Sequence, residues 1–122
     1  MVTVLVVDDD QQVRRWLRLV LETKGYQVKE AGDGKNALVY LEEAKPALVV
    51  LDIFMANMDG LEVIRHIRSR AQCPKILAIS GNLFNGFKMC QTARVLGAHD
   101  ALAKPFDAET LLRHVEVLLS PP

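Results

Sequence analysis

Short runs of apolar residues alternate along the chain with longer amphipathic stretches. The clearest run is at residues 47–52, directly after Pro46, where five consecutive apolar residues lead into Asp52. An unbroken run rich in Val and Leu predicts a strand buried on both faces of a sheet. Four more strands are predicted, of which the second alternates and suits a sheet edge: residues 3–7, 26–31, 75–80 and 100–103.

The stretches between these runs carry apolar residues at helical spacing. A first helix is predicted over about residues 11–24, with its charged side chains facing away from the sheet: Arg14, Arg15, Arg18 and Glu22. Further helices are predicted at about residues 35–43, 61–70 and 87–96, and a fifth, capped by Asp107, runs through Leu119. Strands alternating with helices predict a parallel sheet covered on both faces, with ligands beyond the carboxyl ends of its strands.

Length and composition indicate one ordinary globular domain over residues 1–122, with 50% hydrophobic and 25% charged residues. The 15 basic and 15 acidic residues cancel, and without a basic run no direct nucleic-acid partner is expected. No apolar stretch approaches the roughly 18 residues of a membrane span, and no signal peptide is recognised. Cys73 and Cys90 fit no disulfide or metal pattern, so we expect reduced thiols in a cytoplasmic protein.

Charged and hydroxyl side chains follow the predicted strands at their carboxyl ends. They are Asp8 and Asp9 after the first strand, Asp52 at the third, Ser80 at the fourth and Lys104 after the fifth. Converging carboxylates repel one another unless a cation lies among them, and oxygen ligands without His or Cys favour Mg²⁺. We expect Lys104 to pair with Asp52 at rest. A carboxylate nucleophile, a metal, an ammonium and a hydroxyl together predict a site that takes up a phosphoryl group.

Four motifs lie in order at these strand ends: VLVVDD ending at Asp9, LDIFMANMDG ending at Gly60, ISG at residues 79–81 and KPF at residues 104–106. In this order they resemble the receiver domain of bacterial response regulators, the phosphoacceptor domain of two-component signalling, over essentially the whole chain. The resemblance implies an α/β fold of the flavodoxin-like, doubly wound type. Its five-stranded parallel sheet would have the strand order 2-1-3-4-5 and carry five helices.

The resemblance also implies how the site divides its roles. Asp52 would be the phosphoacceptor, served by a histidine kinase or a histidine phosphotransfer protein. Asp8 and Asp9 would be the acidic pair that holds Mg²⁺ together with Asp52, and the backbone carbonyl of Phe54 would be a further ligand. Phosphorylation would then change which downstream protein the domain binds.

On the other side of the site, the resemblance implies that Ser80 and Lys104 contact the phosphoryl group and that the Lys104–Pro105 peptide is cis. The sequence departs from the family pattern at Ala101, where an aromatic residue usually moves inward as the hydroxyl residue engages phosphate. That aromatic half of the switch cannot operate here. Ala56 also replaces a proline that is usual in the loop after the acceptor.

The segment from Ser80 to Gly97 is about two residues longer than is common in the family, and it contains Phe84 and Phe87. We hypothesise that one of these phenylalanines supplies the missing aromatic signal of the switch. Phe54 and Asn82 occupy positions that tune hydrolysis of the aspartyl phosphate in the family. A bulky Phe54 should hinder the attacking water, so slow autodephosphorylation is predicted.

Other polar residues have plainer interpretations. Asp10 is expected to cap the first helix, and Asp59 to serve a turn beside Gly60. The three histidines lack a partnered motif and are expected at the surface or its boundary: His66, His99 and His114. The Arg14-Arg15 pair is typical of a solvated face, although in a receiver it also lies near the surface where a kinase or phosphotransfer helix docks.

The sequence is therefore interpreted as a stand-alone receiver, a monomer or phosphorylation-dependent dimer. It would not be an enzyme beyond catalysing its own phosphorylation and dephosphorylation. A first alternative is a module of the same fold that binds partners without phosphorylation, its charged cluster being a buried ion-pair network. A second is a metal-dependent phosphohydrolase with an Asp nucleophile, which usually has another Asp where this chain has Phe54.

Overall fold

The computed structural model describes residues 1–53, 60–81 and 86–121, with the side chains of Phe87 and Met89 excepted. Within these residues five strands form one parallel sheet in the order β2-β1-β3-β4-β5, flanked by five helices, as predicted. The strands are β1 Thr3–Val7, β2 Gln27–Ala31, β3 Leu48–Asp52, β4 Lys75–Ser80 and β5 Asp100–Ala103. The helices are α1 Gln11–Glu22, α2 Gly34–Ala44, α3 Gly60–Arg68, α4 Gly86–Leu96 and α5 Ala108–Leu119.

The core lies on both faces of the sheet because successive strand side chains point to opposite sides. In β1, Leu5 and Val7 join a cluster that includes residues of α2, α3 and α4, whereas Val4 and Val6 join a cluster with residues of α1 and α5. All four of these side chains have no solvent exposure. A central strand covered on both faces explains the unbroken apolar runs of the sequence.

The strand register brings the carboxyl ends to one edge. Val7 of β1 pairs with Leu51 of β3, so Asp8 and Asp52 are the next residues along two neighbouring strands. On the other side, Asp52 pairs with Ile79, and Ser80 pairs with Ala103, the residue before Lys104. The expectation that these positions share an edge is confirmed.

Helix ends differ slightly from the prediction, for reasons of capping. The Asp10 carboxylate accepts hydrogen bonds from the backbone N–H groups of Gln12 and Val13 and caps α1, as expected. Asp33 caps α2 in the same way, by accepting from Asn36 N at 2.7 Å. The predicted start of α2 was therefore one residue late, because the Asp33 cap lets the helix begin at Gly34.

The first helix ends at Glu22, two residues earlier than predicted, since the following turn leads into Gly25 at φ +84°. A positive φ there favours glycine, as expected after a helix end. Cys73 is exposed and Cys90 is buried, and both are free. None of the helices in the described ranges combines the length and the apolar character that a bilayer crossing requires.

Candidate functional site

Three carboxylates meet at the carboxyl edge of β1 and β3. Asp8, Asp9 and Asp52 each offer an oxygen atom, and these oxygens lie within 4.8 Å of one another. Asp8 and Asp52 are buried, with 1% and 6% exposure, whereas Asp9 is exposed. Like charges this close in a dry setting need a counter-charge, and an all-oxygen donor set suits Mg²⁺. The predicted acidic residues are thus together, and their chemistry fits the metal.

A single ammonium group lies against two of these carboxylates. Lys104 Nζ is 3.4 Å from Asp8 Oδ2 and 3.5 Å from Asp52 Oδ2. The predicted pairing with Asp52 is present, and the contact with Asp8 adds to it. Three carboxylates and one ammonium leave two negative charges, which one divalent cation would balance.

The backbone around Lys104 brings its side chain to the site. The Lys104 N–H donates to the Ser80 carbonyl at 2.8 Å and extends the β4–β5 pairing, and the Lys104–Pro105 peptide is cis, as expected. Gly81 leaves room for the lysine, because a Cβ there would lie 3.3 Å from Lys104 Cδ. The end of β4 therefore both anchors the lysine backbone and makes space for its side chain.

Ser80 carries a buried hydroxyl at the end of β4. Its exposure is 1%, and its Oγ has no hydrogen-bond partner among the described residues. A buried hydroxyl without a partner costs about 1–3 kcal/mol. Such a group is ready to bond to an oxygen that enters from outside the protein, which is the role that the sequence predicted for it.

Helix α1 contains a residue, Arg14, whose position the sequence interpretation got wrong. Arg14 was expected to face away from the sheet, but its side chain is only 18% exposed. Its Nη1 donates to the backbone carbonyl of Asp8 at 2.8 Å, and its Nε donates to Glu30 Oε1 at 3.3 Å. Helical side chains point back toward the N-terminus, which allows Arg14 to reach the Asp8 carbonyl, but the sequence does not distinguish it from the exposed Arg15 in the same turn.

Gly60 is a second residue that the sequence interpretation undervalued, since it was treated as part of a turn. A Cβ at Gly60 would lie 2.3 Å from Ile53 Cα and 2.7 Å from the Asp52 carbonyl oxygen. The N-terminus of α3 therefore packs directly on the backbone of the proposed acceptor. Only a residue without a side chain fits this contact.

Several predicted positions contribute nothing to the described geometry. Phe54, Asn82, Phe84, Ala56 and Asp59, together with the side chain of Phe87, lie outside the described residues, so their proposed roles stay predictions. Ala101 is buried in β5, and its carbonyl accepts a hydrogen bond from Arg94 Nη2 at 3.3 Å. The Ala101 side chain itself offers no aromatic group to a switch.

The histidines lie at the surface or its boundary, as expected. His66 and His99 are exposed, and His114 is half-buried, with its Nδ1 bonded to Asp100 Oδ2. Hydrogen bonds also link Asp100 to Ala101 N and to Arg94. Burial would raise the pKa of Asp100, but the bonds from His114, Ala101 and Arg94 outweigh it and lower that pKa.

Comparisons with known proteins agree with this geometry. The profile of a family described as "Response regulator receiver domain" matches residues 4–116. "Response regulator MprA" of Mycolicibacterium vanbaalenii is 41% identical over 118 residues, which are 97% of this chain and 50% of MprA. The chain thus spans about half the length of the curated relatives that it matches.

Solved structures give the same result. The signal receiver domain of a response regulator from Bermanella marisrubri is 39% identical, with a TM-score of 0.88 and coverage of 97% of this chain and 98% of that one. Chemotaxis protein CheY4 of Vibrio cholerae is 31% identical, with a TM-score of 0.89 and coverage of 98% and 99%. The similarity extends over nearly the whole of both chains in each case.

Proposed function

The chain belongs to the response regulator receiver family, and on that basis we propose that Asp52 accepts a phosphoryl group in a Mg²⁺-dependent transfer. The donor would be a histidine kinase or a histidine phosphotransfer protein. The observation that carries the proposal is the convergence of three carboxylates and Lys104 beside the buried Ser80 hydroxyl, which has no hydrogen-bond partner among the described residues. A buried ion-pair network without a function would not need such a donor at its edge.

In the proposed reaction an oxygen of the Asp52 carboxylate attacks the phosphorus of a phosphohistidine. The P–N bond breaks, its electron pair goes to the imidazole nitrogen, and an acyl phosphate forms on Asp52. Mg²⁺ held by Asp8, Asp9 and Asp52 would supply positive charge against the phosphoryl oxygens. The domain would catalyse only its own phosphorylation from the phosphohistidine donor and its own dephosphorylation, in which water attacks the acyl phosphate and inorganic phosphate leaves.

Lys104 and Ser80 have distinct tasks in this reaction. The Lys104 ammonium lies 3.4 Å from Asp8 and 3.5 Å from Asp52. After phosphorylation it would also pair with the negatively charged phosphoryl oxygens on Asp52. Ser80 would donate its hydroxyl hydrogen to a phosphoryl oxygen and so gain a partner that no other described residue supplies. Ser80 pairs with Ala103 of β5, the residue before Lys104. A shift of the Ser80 or Lys104 side chain would therefore displace the end of β5. Such a shift is a route by which phosphorylation would change partner binding.

The test is phosphorylation by a small donor. Incubation with acetyl phosphate and Mg²⁺ should add one phosphoryl group by intact-protein mass spectrometry, and Asp52→Asn should abolish the gain. Asp10→Asn is the matched control, since Asn also caps helices and Asp10 belongs to the same edge. A gain that persists in Asp52→Asn would exclude this acceptor. No gain with acetyl phosphate or phosphoramidate would favour a module that binds partners without phosphorylation.

A further inference from the structure

Asp9 is the exposed member of the acidic trio, and the backbone is anchored on both sides of it. The peptide before Asp9 contains the Asp8 carbonyl, which accepts from Arg14 Nη1 at 2.8 Å. The peptide after Asp9 contains the Asp10 N–H, which donates to Asp8 Oδ1 at 2.9 Å. Two held peptide planes determine φ and ψ of the residue between them. The direction in which the Asp9 side chain leaves the loop therefore depends on these two bonds.

The guanidinium that holds the first peptide is itself held in place. Arg14 Nε bonds to Glu30 Oε1 at 3.3 Å, and the other Glu30 oxygen accepts from Arg18 Nη1 at 2.9 Å. The bond from Arg18 lowers the pKa of Glu30 most, burial opposes it, and the bond from Arg14 lowers it further. Glu30 is therefore charged near neutral pH and links the two arginines to β2.

Gly32 lies against the guanidinium group of Arg14. A Cβ at Gly32 would lie 3.2 Å from Arg14 Nη1, closer than an ordinary van der Waals contact. The absence of a side chain at Gly32 thus leaves the space that the guanidinium fills. A methyl group there would press on Arg14 without removing its charge.

We propose that Arg14 is a positioning residue of the metal site: by holding the peptide between Asp8 and Asp9, it aims the acidic pair and so raises the affinity for Mg²⁺. The proposal rests on the Mg²⁺-dependent function proposed above. Groups that orient metal ligands typically contribute about 10–100-fold to metal affinity or activity. Arg14 acts on a backbone carbonyl and not on a ligand atom, so an effect of about tenfold is expected.

Charge and positioning make opposite predictions for Arg14, which makes the proposal testable. A positive charge near carboxylates weakens the binding of a cation, so on charge alone Arg14→Gln would bind Mg²⁺ more tightly and Arg14→Lys would be unchanged. Positioning predicts that both variants bind Mg²⁺ more weakly, because neither lysine nor glutamine can bond to the Asp8 carbonyl and Glu30 with the arginine geometry.

The experiment is calorimetric titration of the purified protein with MgCl₂, with urea unfolding of each variant alongside. Arg14→Gln and Arg14→Lys should weaken Mg²⁺ binding about tenfold, and Gly32→Ala should weaken it less. Arg15→Gln is the matched control: it removes an arginine next to Arg14 from the same helix, and the Arg15 side chain is exposed. Its Mg²⁺ affinity should stay close to that of the wild type.

Each outcome decides the matter. Tighter binding by Arg14→Gln, or an unchanged affinity in Arg14→Lys and Gly32→Ala, overturns the positioning role. An equal loss in Arg15→Gln also overturns it, because the effect would then come from a general change in α1 and not from the bond to Asp8. If Arg14→Gln does not fold, Arg14→Lys and Gly32→Ala still carry the test. A wild type that binds no Mg²⁺ removes the proposed metal-dependent function, and this inference with it.

Discussion

The two ends of the parallel strands, here called the amino edge and the carboxyl edge of the sheet, differ in how their polar groups are hydrogen-bonded. At the amino edge, neutral hydrogen bonds join neighbouring strands: Ala47 N donates to Thr3 O at 2.9 Å, and Lys75 N donates to Ala47 O at 3.0 Å. At the carboxyl edge, Asp8 and Asp52 are buried beside each other, and Ser80 Oγ has no partner among the described residues. Backbone hydrogen bonds also join strands at the carboxyl edge, as between Lys104 N and Ser80 O at 2.8 Å, but buried charged and hydroxyl side chains lie beside them. The carboxyl edge thus adds groups that can bind a ligand to a backbone pairing that both edges share.

The contact between α3 and β3 is where the largest loss is expected. Gly60→Ala would place a Cβ 2.3 Å from Ile53 Cα, so the backbone beside Asp52 must move. We expect a loss of about 3 kcal/mol in the free energy of unfolding and a slower phosphorylation of Asp52, measured by urea unfolding and mass spectrometry. Gly25→Ala is the control: no atom lies within 4 Å of its Cβ, and its φ of +84° costs only about 1 kcal/mol.

Removal of the ammonium should expose the charge imbalance of the carboxyl edge. Without Mg²⁺, Lys104→Met leaves the buried carboxylates of Asp8 and Asp52 without this partner, at a cost of about 2 kcal/mol because the lysine is itself partly exposed. Saturating Mg²⁺ should recover part of this loss. Urea unfolding with and without Mg²⁺ measures both effects, with the exposed Lys24→Met as control. Equal stability of Lys104→Met and the wild type in the absence of Mg²⁺ would contradict the comparison.

A further prediction concerns the rate at which the aspartyl phosphate is hydrolysed, and it rests on the sequence. Phe54 follows Asp52 by two residues, and a bulky side chain there should hinder the water that hydrolyses the aspartyl phosphate. Phe54→Asn should therefore lose its phosphoryl group severalfold faster than the wild type, in a decay followed by mass spectrometry after the donor is removed. Decay that is unchanged or slower in the variant would count against the role of Phe54.

The smallest effect is expected at the amino edge, where stability should depend on pH through His99. Its Nδ1 accepts from Ile76 N at 3.0 Å, which requires an unprotonated Nδ1. Although His99 is exposed as a whole, partial burial of its imidazole is the largest cause that lowers its pKa from the ordinary 6.5, and the positive charges of Lys75 and Arg68 lower it further. The unfolded chain thus binds a proton more readily than the folded one. Stability from this group is present above pH 6.5 and declines as the pH falls toward the folded pKa.

Urea midpoints between about pH 7.5 and about pH 5 test the His99 effect. His99→Asn is the informative variant, because the Asn carbonyl oxygen can accept from Ile76 N and does not titrate. The wild type should lose stability relative to this variant as the pH falls. The sign of that difference is the result to watch: a relative gain by the wild type at low pH would show that His99 is not held in its neutral form.

The sequence predicted those strand positions and site residues that depend on a local pattern of apolar and polar residues. The predicted bounds of β4 and β5 match the structure, because apolar runs there end at Ser80 and just before Lys-Pro. Asp8, Asp52 and Lys104 meet because parallel strands end at one edge, which is a rule of topology and not of sequence detail.

What the sequence did not reveal depends on how closely the folded backbone brings particular groups together. Gly60 packs on Ile53, and Arg14 reaches the Asp8 carbonyl and Glu30, contacts that no periodicity encodes. An arginine on a polar helix face resembles any solvated arginine until the fold places a carbonyl beneath it. Arg14 was thus misplaced because its contacts depend on the tertiary structure. The start of α2 was predicted one residue late because the Asp33 cap was not recognised.

The strand order also determines when the site is assembled during synthesis. Val4 of β1 pairs with Leu48 of β3, so the acidic trio can gather once β3 has been made. Lys104 joins only after β5 pairs with β4, near the end of the chain. If the growing chain folds from its N-terminus, the three carboxylates meet before Lys104 has been synthesised. A divalent cation bound at that stage would offset two of the three negative charges and so would favour folding.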